Sequence, residues 1–248
     1  MVGAAGGIGR ATAIEFARAG AAVALIDLDR DRCAEVVRDI HLLEGRCIAI
    51  GADIGNESDV IRAAGDSERE LGACGVLVNT PAVSGRPDAL DGITLEKWLR
   101  QFTVNVTGYT LCAQAFGRQM QARGGGSMVH VGSIAGQFPQ PNSGAYSITK
   151  AAIAMMSRVL ALELAGRGIR SNVVSPAMVR TPLSEKFYGD PTLLERRRNF
   201  VPLHDIATPR QIADAILFLA SPRASYITGQ DLLIDGGVSL ALMGLFPR

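Results

Sequence analysis

Two rhythms of hydrophobic and polar positions alternate along the chain. Short, nearly continuous apolar runs rich in β-branched residues occupy Ala22 to Ile26, Cys47 to Ala52, Val76 to Asn79, Ser127 to Val131, Arg170 to Ser175 and Asp231 to Ile234. Runs of that length without polar alternation predict strands covered on both faces. Between them, Gly9 to Ala19, Arg30 to Glu44, Glu57 to Leu71, Thr103 to Ala122, Ser143 to Ala165 and Pro209 to Ala220 carry helical patterns. This alternation predicts an α/β fold: a doubly wound parallel sheet with helices on both faces, joined by right-handed crossovers. No linker interrupts the pattern, so residues 1–248 are expected to form a single domain. Ligands in such sheets bind beyond the carboxyl ends of the strands. One strand is expected to be missing: only Met1 and Val2 precede the glycine-rich segment that begins at Gly3, where a central first strand belongs, which points to a native start further upstream.

Composition narrows the function classes. Hydrophobic residues make up 48% and charged residues 20%, which excludes a disordered chain. Net charge is +1 with acids and bases interspersed, so no basic stripe marks a nucleic-acid surface and no polybasic cluster marks a membrane. No apolar run approaches the ~18 residues of a membrane span, and no signal-peptide pattern opens the chain. A cytoplasmic protein that acts on a small molecule is expected. The cysteines Cys33, Cys47, Cys74 and Cys112 are widely spaced and are expected to be reduced thiols, and the isolated His41, His130 and His204 give no metal site.

The chemistry concentrates in two places. Val2-Gly3-Ala4-Ala5-Gly6-Gly7-Ile8-Gly9 leads directly into a helical pattern, so the free first amides of a helix and a backbone without side chains would face a pyrophosphate. By itself such a segment is equally a structural turn. Asp27 ends the next strand, ~20 residues on, where a carboxylate accepts hydrogen bonds from both ribose hydroxyls of NAD and repels a 2'-phosphate. Either Asp27 or Asp29 is alternatively a plain helix cap. The second place combines Ser133, at the end of a strand, with Tyr146 and Lys150, four residues apart on one helical face. A phenol titrates at about pH 10, and a nearby ammonium favours its phenolate form. Taken alone, the pair reads equally as a lysine snorkelling beside a half-buried tyrosine.

Together these residues resemble the short-chain dehydrogenase/reductase family over essentially the whole chain. Gly3, Gly7 and Gly9 follow that family's G-x-x-x-G-x-G spacing, and Tyr146 and Lys150 its Y-x-x-x-K pair. The resemblance implies a Rossmann-like sheet and a catalytic set of Asn105, Ser133, Tyr146 and Lys150. It implies a nucleotide held by Gly3, Gly7, Ile8, Gly9, Asp27, Leu28, Asp53, Ile54, Asn79, Tyr146, Lys150, Pro176, Val179 and Thr181. In detail, Asp53 and Ile54 would contact adenine, Asn79 would lie along the adenosine ribose, and Val179 and Thr181 would meet the carboxamide. Tyr146 would exchange the substrate's hydroxyl proton, Ser133 would bond the substrate oxygen, Lys150 would bind the nicotinamide ribose, and Asn105 would hold a water in a proton relay. The implied reaction is hydride transfer between a secondary alcohol or ketone and NAD(H), with NADP(H) disfavoured and no metal required. Departures from the family pattern are Val2 for threonine, Asn79-Thr80-Pro81-Ala82 for Asn-Asn-Ala-Gly, and Ala177 for glycine.

Substrate selection is expected from Pro182 to Thr208, a lid segment carrying Phe187, Tyr188, Pro191 and Pro202, and from Ile134, Phe138, Pro139 and Met178, an apolar surround with Gln137 and Gln140 as its polar exceptions. Arg196-Arg197-Arg198 reads as a solvated helix face or as a site for an anionic carrier. The apolar tail from Val238 to Phe246 is too short for a membrane and points to burial against another subunit. The resemblance implies a homotetramer or a smaller homo-oligomer. Two other activities fit the same residues: a 3-oxoacyl thioester (acyl-carrier-protein) reductase, disfavoured by Asp27, and a non-catalytic NAD-binding sensor or scaffold, disfavoured by the intact Ser133, Tyr146 and Lys150.

Overall fold

A computed structural model describes residues 1–84, 88–182, 184 and 188–245. Phe187 and Phe246, assigned by sequence to the lid and the apolar tail, lie outside these residues. Six strands form the sheet: β1 (Val23–Asp27), β2 (Cys47–Gly51), β3 (Val76–Asn79), β4 (Gly126–Val131), β5 (Ile169–Pro176) and β6 (Asp231–Ile234). Every pairing is parallel, with β2 on β1 and then β3, β4, β5 and β6 in order.

The expected missing strand is present in vestige. Val2 bridges in parallel to Ile26 on one side and to Asn79 on the other, so Met1 and Val2 occupy the central position between β1 and β3. Val2 N donates to Val78 O at 2.9 Å, Gly3 N to Ile26 O at 2.8 Å, and Ile26 N to Met1 O at 2.9 Å. Thr80, one of the departures from the family pattern, donates its hydroxyl to Val2 O at 2.8 Å. Two residues therefore carry the backbone pairing that would otherwise leave buried β1 and β3 groups unsatisfied.

Helices cover both faces. On one, α3 (Glu57–Leu71), α5 (Gly108–Ala122) and α6 (Tyr146–Leu164) pack Val60, Ala63, Tyr109, Cys112, Phe116 and Ile153 against the strands. On the other, α1 (Gly7–Arg18), α2 (Ala34–Leu42) and α8 (Pro209–Ala220) contribute Ala13, Ala17, Val36, Ile40, Ile212 and Ile216. Two helices fall where the sequence reading placed none. α4 (Leu95–Phe102) is capped by the Thr94 hydroxyl and runs through a π-turn at Thr103–Thr107 into α5. α7 (Pro191–Phe200) crosses the expected lid; Asp190 caps it, accepting from Thr192 N at 2.8 Å, and Pro191 sits in its first turn. The Asp-Pro start signal was readable in the sequence.

The sheet holds a buried polar pair beside the site. Asn79 and His130 face each other across the β3–β4 register, with Asn79 Nδ2 3.2 Å from His130 Nδ1. Both residues are fully buried, and burial lowers the His130 pKa to about 4. Asn79 Oδ1 and His130 Nε2 have no hydrogen-bond partner among the described residues. Because the folded value of about 4 lies below the ordinary 6.5, the unfolded chain takes up the proton first. This contribution to stability is complete above pH ~6.5 and is lost as pH falls through 4. Urea midpoints measured from pH 7 to pH 4 should therefore fall more steeply for the wild type than for His130→Gln; parallel pH slopes would show that the histidine stays solvated.

Candidate active site

The glycine-rich segment turns at Gly3, whose φ of +74° is open to glycine and strained for other residues. Gly6 N closes the turn on Gly3 O at 3.2 Å, and α1 begins at Gly7. A Cβ on Gly9 would collide with the Gly3 carbonyl, and one on Gly7 would stand 2.8 Å from Thr181 Cβ. No side chain among the described residues caps α1, which leaves the first-turn amides of Gly7, Ile8 and Gly9 for another acceptor. Such a helix start binds phosphate oxygens through aligned N–H groups and the helix dipole.

Asp27, at the carboxyl end of β1, accepts from Ala5 N through Oδ2 at 2.9 Å. Asp29, not Asp27, caps the next helical turn, accepting from Asp31 N at 2.9 Å. The capping role that the sequence left open thus falls to Asp29. The second Asp27 oxygen lies 4.0 Å from the exposed Arg32 guanidinium, and Leu28 stands exposed beside it. A glycine cradle followed by a carboxylate at the next strand end fits the pyrophosphate and ribose of a dinucleotide. Further along the strand ends, Asp53 Oδ1 accepts from Gly55 N at 2.9 Å, and Ile54 is buried against Gly108. Asn79 ends β3 on the same side of the sheet. Its side chain turns into the sheet toward His130 and the residue has no exposed surface, so it does not offer that side chain to a ribose.

Ser133 stands two residues beyond the last residue of β4, in extended backbone, and its hydroxyl accepts from Ala135 N at 3.1 Å. Tyr146 is the first residue of α6 and is half-buried; Lys150 lies one turn further and is 2% exposed. The Lys150 ammonium donates to Val131 O at 2.8 Å, two residues before Ser133, and stands 5.6 Å from the Tyr146 ring centre. Burial lowers the Lys150 pKa to about 7, so charged and neutral forms are both populated near neutrality. The pair is thus held at the sheet end and is not a lysine reaching for solvent.

Asn105 sits in the π-turn between α4 and α5, a local widening that recurs at functional sites. It is fully buried; Oδ1 accepts from Val83 N at 2.8 Å, and Nδ2 donates to Val83 O at 3.0 Å and to Thr149 Oγ1 at 3.1 Å. Thr149 in turn donates to Tyr146 O at 2.8 Å. The side chain of Asn105 therefore clamps the segment after β3 to the first turn of α6. Pro176 ends β5 opposite Ile234. Beyond it, Val179 bridges to Ala207 and Thr181 hydrogen-bonds Ser184, which brings this segment against Gly7. Sequence reasoning missed Thr80, Tyr109 and Thr149. Each is a common core or surface residue type whose role comes from contacts distant in sequence, and only the Asn79-Thr80-Pro81-Ala82 departure marked one of them.

The surroundings divide by polarity. Ile134 and Met178 are half-buried and Phe138 is exposed, while Gln137 is drawn aside by Asp231 at 2.9 Å. Between Pro182 and Thr208, Arg197 lies over the Tyr188 ring at 5.3 Å and Arg198 faces Asp205 at 3.5 Å, so two of the three consecutive arginines have partners within the fold.

Comparison with known proteins matches this geometry to a family. A family model described as enoyl-(acyl carrier protein) reductase matches residues 3–239. The 2,3-dihydro-2,3-dihydroxybenzoate dehydrogenase of Bacillus subtilis is 34% identical, over 98% of this chain and 95% of that protein. The 2,5-dichloro-2,5-cyclohexadiene-1,4-diol dehydrogenase of Sphingobium indicum is 33% identical, over 98% and 96% respectively. A 7α-hydroxysteroid dehydrogenase structure complexed with NADH and 7-oxo glycochenodeoxycholic acid superposes with a TM-score of 0.90 at 32% identity, covering 96% of this chain and 92% of that one. With the doubly wound sheet in place, these matches establish that the chain is an oxidoreductase belonging to the short-chain dehydrogenase/reductase family.

Proposed function

We propose that this protein interconverts a secondary alcohol and a ketone with NAD(H), using Tyr146 as the group that exchanges the hydroxyl proton. The observation that carries the reading is the placement of Tyr146 and Lys150 one turn apart at the start of α6, with Lys150 buried against the strand end that precedes Ser133. Bound nicotinamide supplies the hydride acceptor for oxidation and the hydride donor for reduction. The Ser133 hydroxyl orients the substrate oxygen. The Tyr146 phenolate takes the alcohol proton during oxidation, and the phenol returns it during reduction. A protonated Lys150 favours the phenolate, and it is populated on the acid side of its own pKa of about 7. Asn105, through Thr149, holds the helix turn that presents Tyr146; by resemblance to the family it also holds a water of the proton relay toward solvent.

The NAD(H) preference rests on Asp27, whose carboxylate already serves the glycine segment and would oppose a 2'-phosphate. For the substrate, the apolar Ile134, Phe138 and Met178 favour an alcohol borne on a carbocyclic ring, as named for the dihydroxybenzoate, cyclohexadienediol and hydroxysteroid relatives, over an acyclic polyol, as named for galactitol and D-threitol dehydrogenases among the relatives. A 3-oxoacyl thioester is the competing substrate, since a 3-ketoacyl-(acyl-carrier-protein) reductase structure complexed with NADH is 30% identical. A cytoplasmic location accords with the finding that no helix among the described residues is long and apolar enough to cross a membrane.

Met155, Val159 and Leu162 form an exposed apolar stripe on α6, beside a groove shared with α5. This stripe supports a homo-oligomer, a tetramer or a dimer, built on that face. Light scattering of the purified protein should give a multiple of the chain mass; a monomer at micromolar concentration would remove this part of the reading.

Fluorescence titration should show NADH binding at least ~10-fold more tightly than NADPH, a difference of ~1.4 kcal/mol, and Asp27→Asn should narrow the gap. In the same series, Tyr146→Phe should keep its NADH affinity within ~3-fold while turnover of cyclic alcohols falls by about 10²–10⁴. Equal affinity for the two nucleotides would remove Asp27 from its role, and undiminished turnover would remove Tyr146 from its own.

A further inference from the structure

The Val131 carbonyl, at the last residue of β4, has two donors within reach. Lys150 Nζ donates to it at 2.8 Å, and the Tyr109 hydroxyl stands 3.3 Å away. The same hydroxyl lies 2.9 Å from Pro81 O, on the segment following β3. A tyrosine hydroxyl has one hydrogen, so Tyr109 serves one of these carbonyls at a time. Val131 is buried, whereas Pro81 is half-buried and lies in irregular chain near the surface. Leaving the Val131 carbonyl without a donor is costly, while the Pro81 carbonyl has access to water.

Tyr109 is itself fully buried, between His130 at 5.9 Å and the Lys150 ammonium at 5.7 Å. Burial pushes its pKa well above the usual value for a phenol, so it keeps its proton and remains a donor. The other titratable groups facing this cluster among the described residues are Tyr146, across Lys150 on α6, the neutral His130 on β4 and the buried Cys112 on α5.

We propose that Tyr109 is a positioning residue whose hydroxyl takes over the Val131 carbonyl when the Lys150 ammonium moves off it toward the nucleotide, and releases it when the ammonium returns. The proposal rests on the reading of Lys150 as a nucleotide ligand. Rotation about the bond to the Tyr109 oxygen is enough to change acceptors, with no movement of the ring. Lys150 then leaves no buried carbonyl unsatisfied, and the vacated Pro81 carbonyl is the one that solvent reaches.

A double-mutant cycle on NADH binding, followed by fluorescence, tests this without knowledge of the substrate. In the presence of Lys150, Tyr109→Phe should weaken NADH binding about 10-fold, or ~1.4 kcal/mol. In a Lys150→Met background the ammonium never occupies the carbonyl, and the same substitution should change affinity less than ~2-fold. Equal losses in both backgrounds, or no loss in either, would overturn the proposal while leaving the functional reading in place. Failure of the wild type to bind NADH or NADPH would instead overturn the functional reading and the proposal with it.

A second measurement covers the case in which Tyr109→Phe does not fold. The chain has 4 tyrosines, so wild-type protein labelled with ¹³C at the phenolic carbon gives a resonance for Tyr109 that is assignable by replacing the others in turn. That resonance should shift on saturation with NADH. An unchanged Tyr109 signal alongside clear nucleotide binding would contradict the exchange of acceptors.

Discussion

The hydrogen bond from the buried Lys150 ammonium to the Val131 carbonyl is the contact on which the rest of the site depends. It ties the first turn of α6 to the end of β4, and so fixes Tyr146 relative to Ser133. The same burial that strengthens the contact makes the charge expensive, which is why Lys150 titrates at about 7 and not in the usual range of a lysine. A group balanced in this way responds to any added charge or hydrogen-bond partner that enters the cleft. Asn105 and Thr149 brace the same turn from the other side, and their bonds give the π-turn between α4 and α5 a structural purpose.

The sheet supplies the other half of the arrangement. All its strands are parallel, so Asp27, Asn79, Val131 and Pro176 finish at the same edge, where the glycine segment and the segment after β5 close on one another. The link between the two halves of the sheet is Val2 with its immediate neighbours, reinforced by the Thr80 hydroxyl. The buried Asn79–His130 pair lies just beneath, and two of its polar atoms are without partners among the described residues. Unpaired buried groups of this kind cost stability.

Much of the fold was legible in the sequence, and for a physical reason. A strand buried on both faces is largely apolar, so Val76–Asn79 stands at the bounds read from the sequence; the helices Glu57–Leu71 and Pro209–Ala220 do too, and so does Asp231–Ile234, although that strand closes the edge of the sheet and its residues are half-buried or exposed. Short elements stabilised by capping rather than by a long apolar face were missed, as with α4 and α7. The central strand was read as absent because hydrophobic periodicity needs several residues to register, whereas backbone pairing needs only one. In the site, the glycine segment and the Tyr146–Lys150 pair declared themselves through local spacing. The side-chain direction of Asn79 and the contacts of Tyr109 and Thr149 did not, because they depend on partners dozens of residues away.

The central claim is that this chain removes a hydride from the carbinol carbon of a secondary alcohol and delivers it to NAD. The most direct measurement is to incubate the protein with NAD and a panel of cyclic secondary alcohols deuterated at that carbon, and to locate the deuterium by NMR. The account predicts label at C4 of the reduced nicotinamide, together with the corresponding ketone. Reduced nucleotide without deuterium, or no reduction by any alcohol of the panel while NADH binding is intact, would contradict it.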